Sequence, residues 1–373
     1  MLDISVAIIN GSRYFEGTYV ASINLYYEFS KYVSTVNWYQ CIDPVDYESH
    51  KSFGKSVLGI RFPLRFLEMG INRLFVFPSK LRSLDEDIIV VCDLSLMSIV
   101  KDLDKKIIVK ITDLRPLSKY NDNFLTSLMY RHQIKKLTPK MEVIASTQFV
   151  KREISRYTNA RVNIIPEYFI KNDQIDTQKK KNLLSKNENE PIKVIYVAQD
   201  RQYKNIKFFV SIAKAFYDEG NSKVTFILVS KLRNRTIRYI RNLKMNNLTV
   251  KFNLPDMTEI YDVGDIMAYV SSYEGFGIPV IEAMSKGIPV LLQDIEPFRE
   301  TAGAAGIYIN QLITSDWVRE IKRLISSPTL YDQKSVESII QSTKFSEENM
   351  ASGVKDLLKH VSDNMLAESI KEF

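Results

Sequence analysis

Two glutamates on either side of a glycine-rich turn are the strongest candidates for binding chemistry in this chain. Glu274 precedes Gly275 and Gly277, and Glu282 follows eight residues after Glu274, inside a segment that starts at Pro279. Glycine lets a backbone pass close to a ligand, and proline suits the first turn of a helix. Amides at a helix amino terminus carry about half a positive charge. The turn is therefore predicted to receive an anion or the hydroxyls of a sugar.

Two apolar strands and a helix are predicted to hold this turn. The run from Ile266 to Ser271 is typical of a strand buried on both faces of a sheet. The helix that follows is predicted to stop at Gly287, since glycine is common just after a helix. A second apolar run extends from Ile288 to Leu292. The turn therefore joins a buried strand to a helix.

The complete segment resembles a known motif. Its residues read E-G-F-G-x-P-x-x-E-A-M-x-x-G-x-P-V, which is similar to the E-x7-E donor-site motif of the retaining GT-B glycosyltransferases of family four. The resemblance is strong over about 190–310 and diffuse over the rest of the chain. It implies an α/β protein with the GT-B fold: two Rossmann-like parallel-sheet domains facing across a cleft, with a C-terminal helix that crosses back to the first domain.

The same resemblance implies a reaction and assigns residues to it. A sugar is expected to move from a UDP- or GDP-type nucleotide sugar to a glycan or lipid-linked acceptor, with retention at the anomeric carbon and without a cofactor or metal ion. Glu282 would bind the ribose hydroxyls and Glu274 the donor sugar. Lys204 and Arg201 would hold the departing diphosphate. Stabilising the charge of that group is the largest contribution to catalysis available without a metal. The backbone amides expected to assist Glu274 belong to Gly275, Phe276, Gly277 and Ile278.

The loop after the predicted strand Lys193–Ala198 departs from the family pattern. The family usually has V-G-R-x-x-x-x-K-N/G here, whereas this chain has Ala198 and Gln199 at the glycine and arginine positions. Lys204 fits, and Arg201 is expected to supply the missing guanidinium, since one lost charge-assisted contact costs roughly 1.5–3 kcal/mol. A solvated loop is the alternative for both cations. Two other functions stay open: a catalytically weak relative acting as a binding subunit, and a GT-B sugar-nucleotide epimerase.

In the N-terminal half, Gly17 and Asp113 are the candidate site residues. Gly17 opens a helix after the first predicted strand, Ile4–Ile9, and either approaches a phosphate closely or forms a plain strand–helix turn. Asp113 is either an acceptor contact or the start of a turn before Pro116. Family members commonly have a histidine where this chain has Thr112, so an imidazole is missing near the expected reaction centre.

Length and pattern predict two domains. The chain has 373 residues, 45% of them hydrophobic, and its apolar runs alternate with helical patterns, which favours parallel sheets covered by helices. The predicted divisions are an acceptor domain over 1–170, a linker over 171–190, a nucleotide-sugar domain over 191–345 and a C-terminal helix over 346–373.

The sequence favours a cytoplasmic location and no nucleic-acid partner. The amino-terminal segment has no basic region of the kind that opens a signal peptide, and no apolar run is long enough to span a bilayer. Cys41 and Cys92 both end apolar runs, as buried thiols in a reducing compartment do.

No metal site is predicted. The three histidines stand alone in the sequence. Asp85-x-Asp87 and Asp102-x-Asp104 match the D-x-D of metal-dependent glycosyltransferases, but each precedes its apolar strand. They are therefore expected at the edge of a parallel sheet opposite to a nucleotide site.

Basic charge concentrates in one stretch of the N-terminal half. Between Lys51 and Arg82 there are seven basic residues and one acid, Glu68, a net charge of +6. A helix predicted over Arg61–Phe77 has apolar residues on most sides, so it is either buried or lies in a membrane interface. Basic residues add about 1 kcal/mol each near an anionic membrane surface. The stretch 51–82 is therefore a candidate anchor for a peripheral membrane enzyme.

Overall fold

The computed structural model describes residues 1–11, 17–41, 56–57, 71–121, 123–168, 190–252 and 258–371. Its contacts divide the chain into two compact units, Met1–Tyr168 with Glu348–Phe373 and Phe169–Glu347. The predicted linker over 171–190 lies outside the described residues except for Glu190.

Parallel strands form the sheet of the first unit. The described strands are Leu2–Asn10 (β1), Val33–Gln40 (β2), Ser56–Val57 (β3), Ile88–Val91 (β4), Lys106–Ile111 (β5), Glu142–Ala145 (β6) and Arg161–Ile164 (β7). The described helices between them are Gly17–Phe29 (α1), Phe77–Arg82 (α2), Met97–Val100 (α3), Phe124–Ile134 (α4) and Gln148–Ser155 (α5). The strand order is β3-β2-β1-β4-β5-β6-β7. The progression of strands across the sheet therefore reverses between the parallel neighbours β1 and β4, which is the switch point of a Rossmann-type sheet.

A second parallel sheet forms the other unit. Its described strands are Ile192–Val197 (β8), Val224–Val229 (β9), Leu248–Lys251 (β10), Ile266–Tyr269 (β11), Val290–Gln293 (β12) and Ile307–Ile309 (β13). The described helices are Ile206–Asp218 (α6), Asn234–Asn242 (α7), Thr258–Val263 (α8), Ile278–Ser285 (α9), Glu296–Ala302 (α10), Thr314–Ser326 (α11) and Pro328–Ser342 (α12). The order β10-β9-β8-β11-β12-β13 repeats the Rossmann arrangement, with its switch point between β8 and β11.

The C-terminal helix Glu347–Lys371 (α13) packs within the first unit. Its residues Met350, Val354 and Leu358 are buried in one cluster with side chains of β1 and β4. A Cβ on Gly353 would lie 3.2 Å from Ile165, so the helix backbone runs close to the end of β7. This confirms the expected return of the last helix to the first domain.

The predicted strand–helix–strand segment is present as β11, α9 and β12. Each residue of β11 and β12 is buried, as expected for central strands of a covered parallel sheet. The helix starts at Ile278, one residue before the expected Pro279. It ends in a left-handed Gly287, with the Ile288 amide donating to the Ala283 carbonyl at 3.1 Å. That bond belongs to the Schellman motif, which satisfies the last carbonyls of a helix.

Only part of the predicted helix Arg61–Phe77 lies among the described residues. Residues 61–70 fall outside them, whereas 71–82 are helical, with a π-helical turn over Asn72–Val76 before α2. Asn72 and Phe77 are buried, whereas Phe75 is 68% exposed. The described turn is therefore neither wholly buried nor wholly exposed.

Candidate active site

The structure brings two separate loops together at the carboxyl ends of β8 and β11. These strands are hydrogen-bonded neighbours, so the loops that follow them leave the same edge of the sheet. The Lys204 ammonium, from the loop after β8, donates a hydrogen bond to Glu274 Oε1, from the loop after β11. Both side chains are only 12% exposed. The predicted cation and the predicted sugar-binding carboxylate therefore form one largely buried ion pair.

Asn205 holds the two loops in register. Its backbone is left-handed, with φ of 51°, a conformation that asparagine adopts more readily than most residues. Its side-chain amide donates to the Val270 carbonyl at 2.8 Å and to Ser272 Oγ at 2.7 Å. The Ser272 amide in turn donates to the Tyr203 carbonyl at 2.8 Å. These three bonds fix the position of Lys204 relative to the turn.

Three tyrosines contact Lys204, two at its side chain and one at its backbone carbonyl. Its ammonium lies 5.3 Å from the ring centroid of Tyr203 and 5.7 Å from that of Tyr269, within the range of cation–π attraction. The Tyr196 hydroxyl donates to the Lys204 carbonyl. Burial and then the Glu274 carboxylate raise the pKa of Tyr196 and Tyr269 well above the usual value, so both hydroxyls stay protonated.

Glu282 lies in α9 and has a partner that the sequence did not indicate. The buried Tyr261, from α8, donates its hydroxyl to Glu282 Oε2 at 2.6 Å. Burial raises the pKa of Glu282, and the hydrogen bond from Tyr261 acts in the opposite direction. Tyr261 therefore orients one carboxylate oxygen and favours its charged form.

Gly277 is required by the fold at the point where the turn enters α9. Its φ of 95° is a left-handed conformation that side chains disfavour, and a Cβ there would lie 2.8 Å from the Phe298 ring. The Phe276 side chain packs inward, 6% exposed and edge-to-face with Phe345 at 5.3 Å between centroids. Ile278 is partly buried against the same cluster. The donor contact predicted for the backbone amides of Gly275 to Ile278 stays a prediction.

Arg201 is on the correct loop but does not join the ion pair. It stands directly before a 3₁₀ turn formed by Gln202–Lys204, and it is exposed, as is Gln199. Among the residues that the structure describes, its guanidinium has no hydrogen bond or ion pair. Its predicted contact with a diphosphate stays a prediction.

The candidate residues of the first unit have mainly structural surroundings. Helix α1 begins at Gly17, but the steric need for glycine is at Gly11, where a Cβ would lie 2.3 Å from Asp93 Oδ2. Asp113 Oδ1 accepts a hydrogen bond from the Arg115 amide at 2.9 Å, which is the turn before Pro116 that the sequence left open. Roles for Gly17 and Asp113 in binding stay predictions.

A buried charged cluster in the first unit escaped sequence reasoning. The Lys110 ammonium lies 3.0 Å from each oxygen of the Glu167 carboxylate and donates to the Ala21 carbonyl at 2.8 Å, while Ser146 Oγ donates to Glu167 Oε1 at 2.9 Å. Lys110 and Glu167 are almost fully buried. The one available signal was a lysine inside the apolar run of β5, and its partner is 57 residues away.

The described residues include no group of three or more His, Cys, Asp or Glu side chains placed to hold a metal ion. The pairs Asp85-x-Asp87 and Asp102-x-Asp104 precede β4 and β5. Asp87 is used structurally, since its carboxylate accepts bonds from the Ser5 amide and hydroxyl at 2.8 Å and 2.7 Å. Among the residues that the structure describes, no helix is long and apolar enough to cross a membrane.

The two Rossmann-type sheets agree with the GT-B fold, which solved glycosyltransferase structures share with this chain over nearly its whole length. Residues 175–344 match the family model of the glycosyl transferases group 1.

Curated relatives match part of the chain. The chain is 23% identical over 236 residues to the O-antigen chain mannosyltransferase RfbU of Salmonella typhimurium. The aligned region covers 59% of this chain and 61% of that protein. The chain is 29% identical over 94 residues to O-antigen chain mannosyltransferase B of Escherichia coli, covering 25% of each. The matches thus span less than two thirds of these relatives.

Solved structures share the fold over nearly the whole chain. Anabaena HepE in complex with UDP and glucose has a TM-score of 0.74 at 14% identity, covering 95% of this chain and 99% of that one. Sucrose-phosphate synthase from Thermosynechococcus elongatus has a TM-score of 0.78 at 14% identity, covering 97% and 100%. WaaG, a glycosyltransferase of lipopolysaccharide biosynthesis, has a TM-score of 0.72 at 13% identity, covering 94% and 99%.

Proposed function

We propose that this chain is a retaining glycosyltransferase of the hexosyltransferase class that transfers a sugar from a nucleotide-sugar donor to a glycan or lipid-linked acceptor. The observation that carries the proposal is the contact between Lys204 and Glu274, 70 residues apart in the sequence. A cation and a carboxylate meet at the carboxyl edge of the sheet, beside the amino terminus of α9. That combination suits a ligand with a diphosphate at one end and hydroxyls at the other.

Donor binding would redistribute the hydrogen bonds of this pair. The Lys204 ammonium turns from Glu274 to the diphosphate, and the freed Glu274 carboxylate accepts hydrogen bonds from hydroxyls of the sugar. As the bond to the anomeric carbon breaks, negative charge grows on the departing phosphate. The ammonium and the first amides of α9 are already positioned to stabilise that charge, which is why we propose a reaction without a metal ion.

Glu282 is proposed to accept hydrogen bonds from the two ribose hydroxyls of the donor. Its hydrogen bond with Tyr261 fixes one oxygen. The proposal requires a charged carboxylate, because an ionised carboxylate accepts at both oxygens.

The comparisons support a nucleotide-sugar donor and a glycan acceptor. Solved structures of the same fold hold UDP with glucose, or UDP-glucose, and the relatives with similar sequence are named O-antigen chain mannosyltransferases. UDP- and GDP-hexoses are therefore the donors to test first, with a saccharide chain or its lipid-linked form as the acceptor.

A catalytically weak binding subunit is the second candidate. The exposed Gln199 at the family's arginine position, and the exposed Arg201, favour it. A sugar-nucleotide epimerase on the same fold is the third candidate.

A panel of UDP- and GDP-hexoses separates these candidates. Each donor is incubated with the protein, with and without an oligosaccharide acceptor, and the products are identified by mass spectrometry and by the anomeric proton couplings in NMR. A retaining glycosyltransferase releases nucleoside diphosphate and gives a product with the anomeric configuration of its donor, whereas an inverted product contradicts retention. An unchanged donor with tight nucleotide binding contradicts the proposal in favour of a binding subunit, and an isomerised nucleotide sugar contradicts it in favour of an epimerase.

We also propose a cytoplasmic enzyme that associates with the anionic membrane surface through the basic stretch 51–82. Most of that stretch lies outside the described residues, and the support is its net charge of +6. Loss of vesicle binding when these basic residues are neutralised tests it.

A further inference from the structure

Helix α4 presents large apolar side chains to solvent. Phe124 is 79% exposed, Leu125 71% and Leu128 56%. Each residue turns the helix by about 100°, so these three side chains lie within roughly a third of its circumference. The opposite side is buried through Gln133 and Ile134. The exposed apolar residues therefore form a continuous face instead of isolated surface positions.

Two cations and a histidine continue the same face toward the end of the helix. Arg131, His132 and Lys135 are exposed, and their helical spacing places them in line with Phe124 and Leu128. The surrounding sequence is strongly basic. Between Leu114 and Met141 there are six Lys or Arg residues against one acid: Arg115, Lys119, Arg131, Lys135, Lys136 and Lys140 against Asp122.

The buried side anchors the helix firmly. Gln133 Oε1 accepts hydrogen bonds from the amide and hydroxyl of Ser98, each at 2.8 Å. At the amino end, the Asn123 side chain caps the helix by accepting from the Leu125 amide at 2.9 Å. The exposed face is thus carried by a fixed and capped helix.

We propose that this face, defined as Phe124, Leu125, Leu128, Arg131, His132 and Lys135, docks onto an anionic lipid bilayer. The apolar side chains would enter the boundary between headgroups and acyl chains, and the cations would contact lipid phosphates. Charge complementarity favours lipid over a second copy of this chain, because the chain itself has a net charge of +7, whereas an anionic leaflet attracts basic side chains. The inference is independent of the proposed catalysis, and it concerns a different surface from 51–82.

Flotation with phosphatidylcholine vesicles, with and without phosphatidylglycerol, tests this surface. The apolar variant combines Phe124→Gln, Leu125→Gln and Leu128→Gln, since glutamine keeps helix propensity. The basic variant combines Arg131→Gln and Lys135→Gln. Ile340→Gln is the matched control, because Ile340 is 60% exposed on α12 of the other unit. Circular dichroism and nucleotide affinity verify that each variant is folded and that the donor site is intact.

We expect the wild type and the control to bind only the vesicles with phosphatidylglycerol. The apolar variant should bind at least about tenfold more weakly, since even one large apolar side chain contributes that much when it is buried. The basic variant should bind more weakly at low salt and show a smaller salt dependence, which the unchanged basic stretch 51–82 keeps above zero. Unchanged binding by the apolar variant would overturn the proposal, as would a wild type that ignores the vesicles or uses this face only to form dimers. Nucleotide affinity separates these outcomes from a failure of the proposed catalysis.

Discussion

At the scale of single residues, donor binding should depend most on Lys204. Lys204→Ala is expected to raise the dissociation constant of the donor at least about tenfold, about 1.4 kcal/mol, because the diphosphate loses the ammonium held beside Glu274. Lys207→Ala is the control, since Lys207 is exposed and lies 5.3 Å from the Tyr239 ring instead.

Arg201→Ala should weaken donor binding in calorimetry as much as Lys204→Ala does. Normal donor binding by Arg201→Ala would show that Arg201 does not replace the family arginine.

Substitutions of Glu282 and Glu274 should have different effects on nucleotide binding and on transfer. Glu282→Gln is expected to weaken the binding of both the free nucleoside diphosphate and the intact donor, because the proposed ribose contact is present in both complexes. Glu274→Gln should not weaken binding of the free nucleotide, because it releases the Lys204 ammonium from its ion pair. It should impair transfer, because the proposed contact of Glu274 is the sugar. Calorimetry with the nucleotide alone and a transfer assay distinguish the two. Equal losses of free-nucleotide affinity would show that the roles are assigned wrongly.

Tyr261→Phe should alter the pH dependence of nucleotide binding. Burial raises the pKa of Glu282, and the Tyr261 hydrogen bond lowers it, so removing the hydroxyl raises that pKa further. Binding needs the carboxylate, which exists above its pKa, so affinity is lost as pH falls through that value. The midpoint of this loss should therefore lie at higher pH in Tyr261→Phe than in the wild type. Coincident pH profiles would leave Tyr261 with no effect on Glu282.

Spacing predicted some of these residues and missed others. Glu274 and Glu282 were recognisable because they flank a glycine turn at a fixed interval, and Lys204 because it follows a strand at the family's distance. Tyr261 and Lys110 were not, because each acts through a partner that only folding brings near. A tyrosine or lysine inside an apolar run does not reveal which distant carboxylate it meets.

At the scale of elements, the entry into α9 should not tolerate a side chain at Gly277. Gly277→Ala combines backbone strain of about 1–2 kcal/mol with overpacking against Phe298, which typically costs about 1–3 kcal/mol. Gly220→Ala is the matched control, since Gly220 has a φ of 65° and no atom within 4 Å of its Cβ position. Urea unfolding should therefore show a larger loss of unfolding free energy for Gly277→Ala. Equal losses would mean that Phe298 moves aside freely.

Elements with regular patterns were predictable, and those that break the pattern were not. β11, α9 and β12 followed from apolar runs, a proline and a terminal glycine. The outer face of α4 contradicts the usual rule that apolar residues of a helix face the core, since Phe124 and Leu125 face solvent. The π-helical turn at Asn72–Val76 likewise has no sequence signature of its own.

At the scale of the whole molecule, alternating apolar runs were sufficient to predict parallel α/β units. The strand orders were not contained in that alternation, because many orders satisfy it. The resemblance implied two Rossmann-like sheets, and the two observed strand orders have the Rossmann arrangement. The return of α13 to the first unit was likewise implied by the family and not by its amphipathic pattern.

Release of nucleoside diphosphate from a UDP- or GDP-hexose in the presence of EDTA tests the central claim most directly. The account predicts that the wild type and Lys207→Ala release product with EDTA present, and that Lys204→Ala loses most of this activity. The reason is that Lys204 and the amino terminus of α9 are proposed to carry the diphosphate charge. Complete loss of release in EDTA that Mn²⁺ or Mg²⁺ restores, or full activity in Lys204→Ala, would contradict the account.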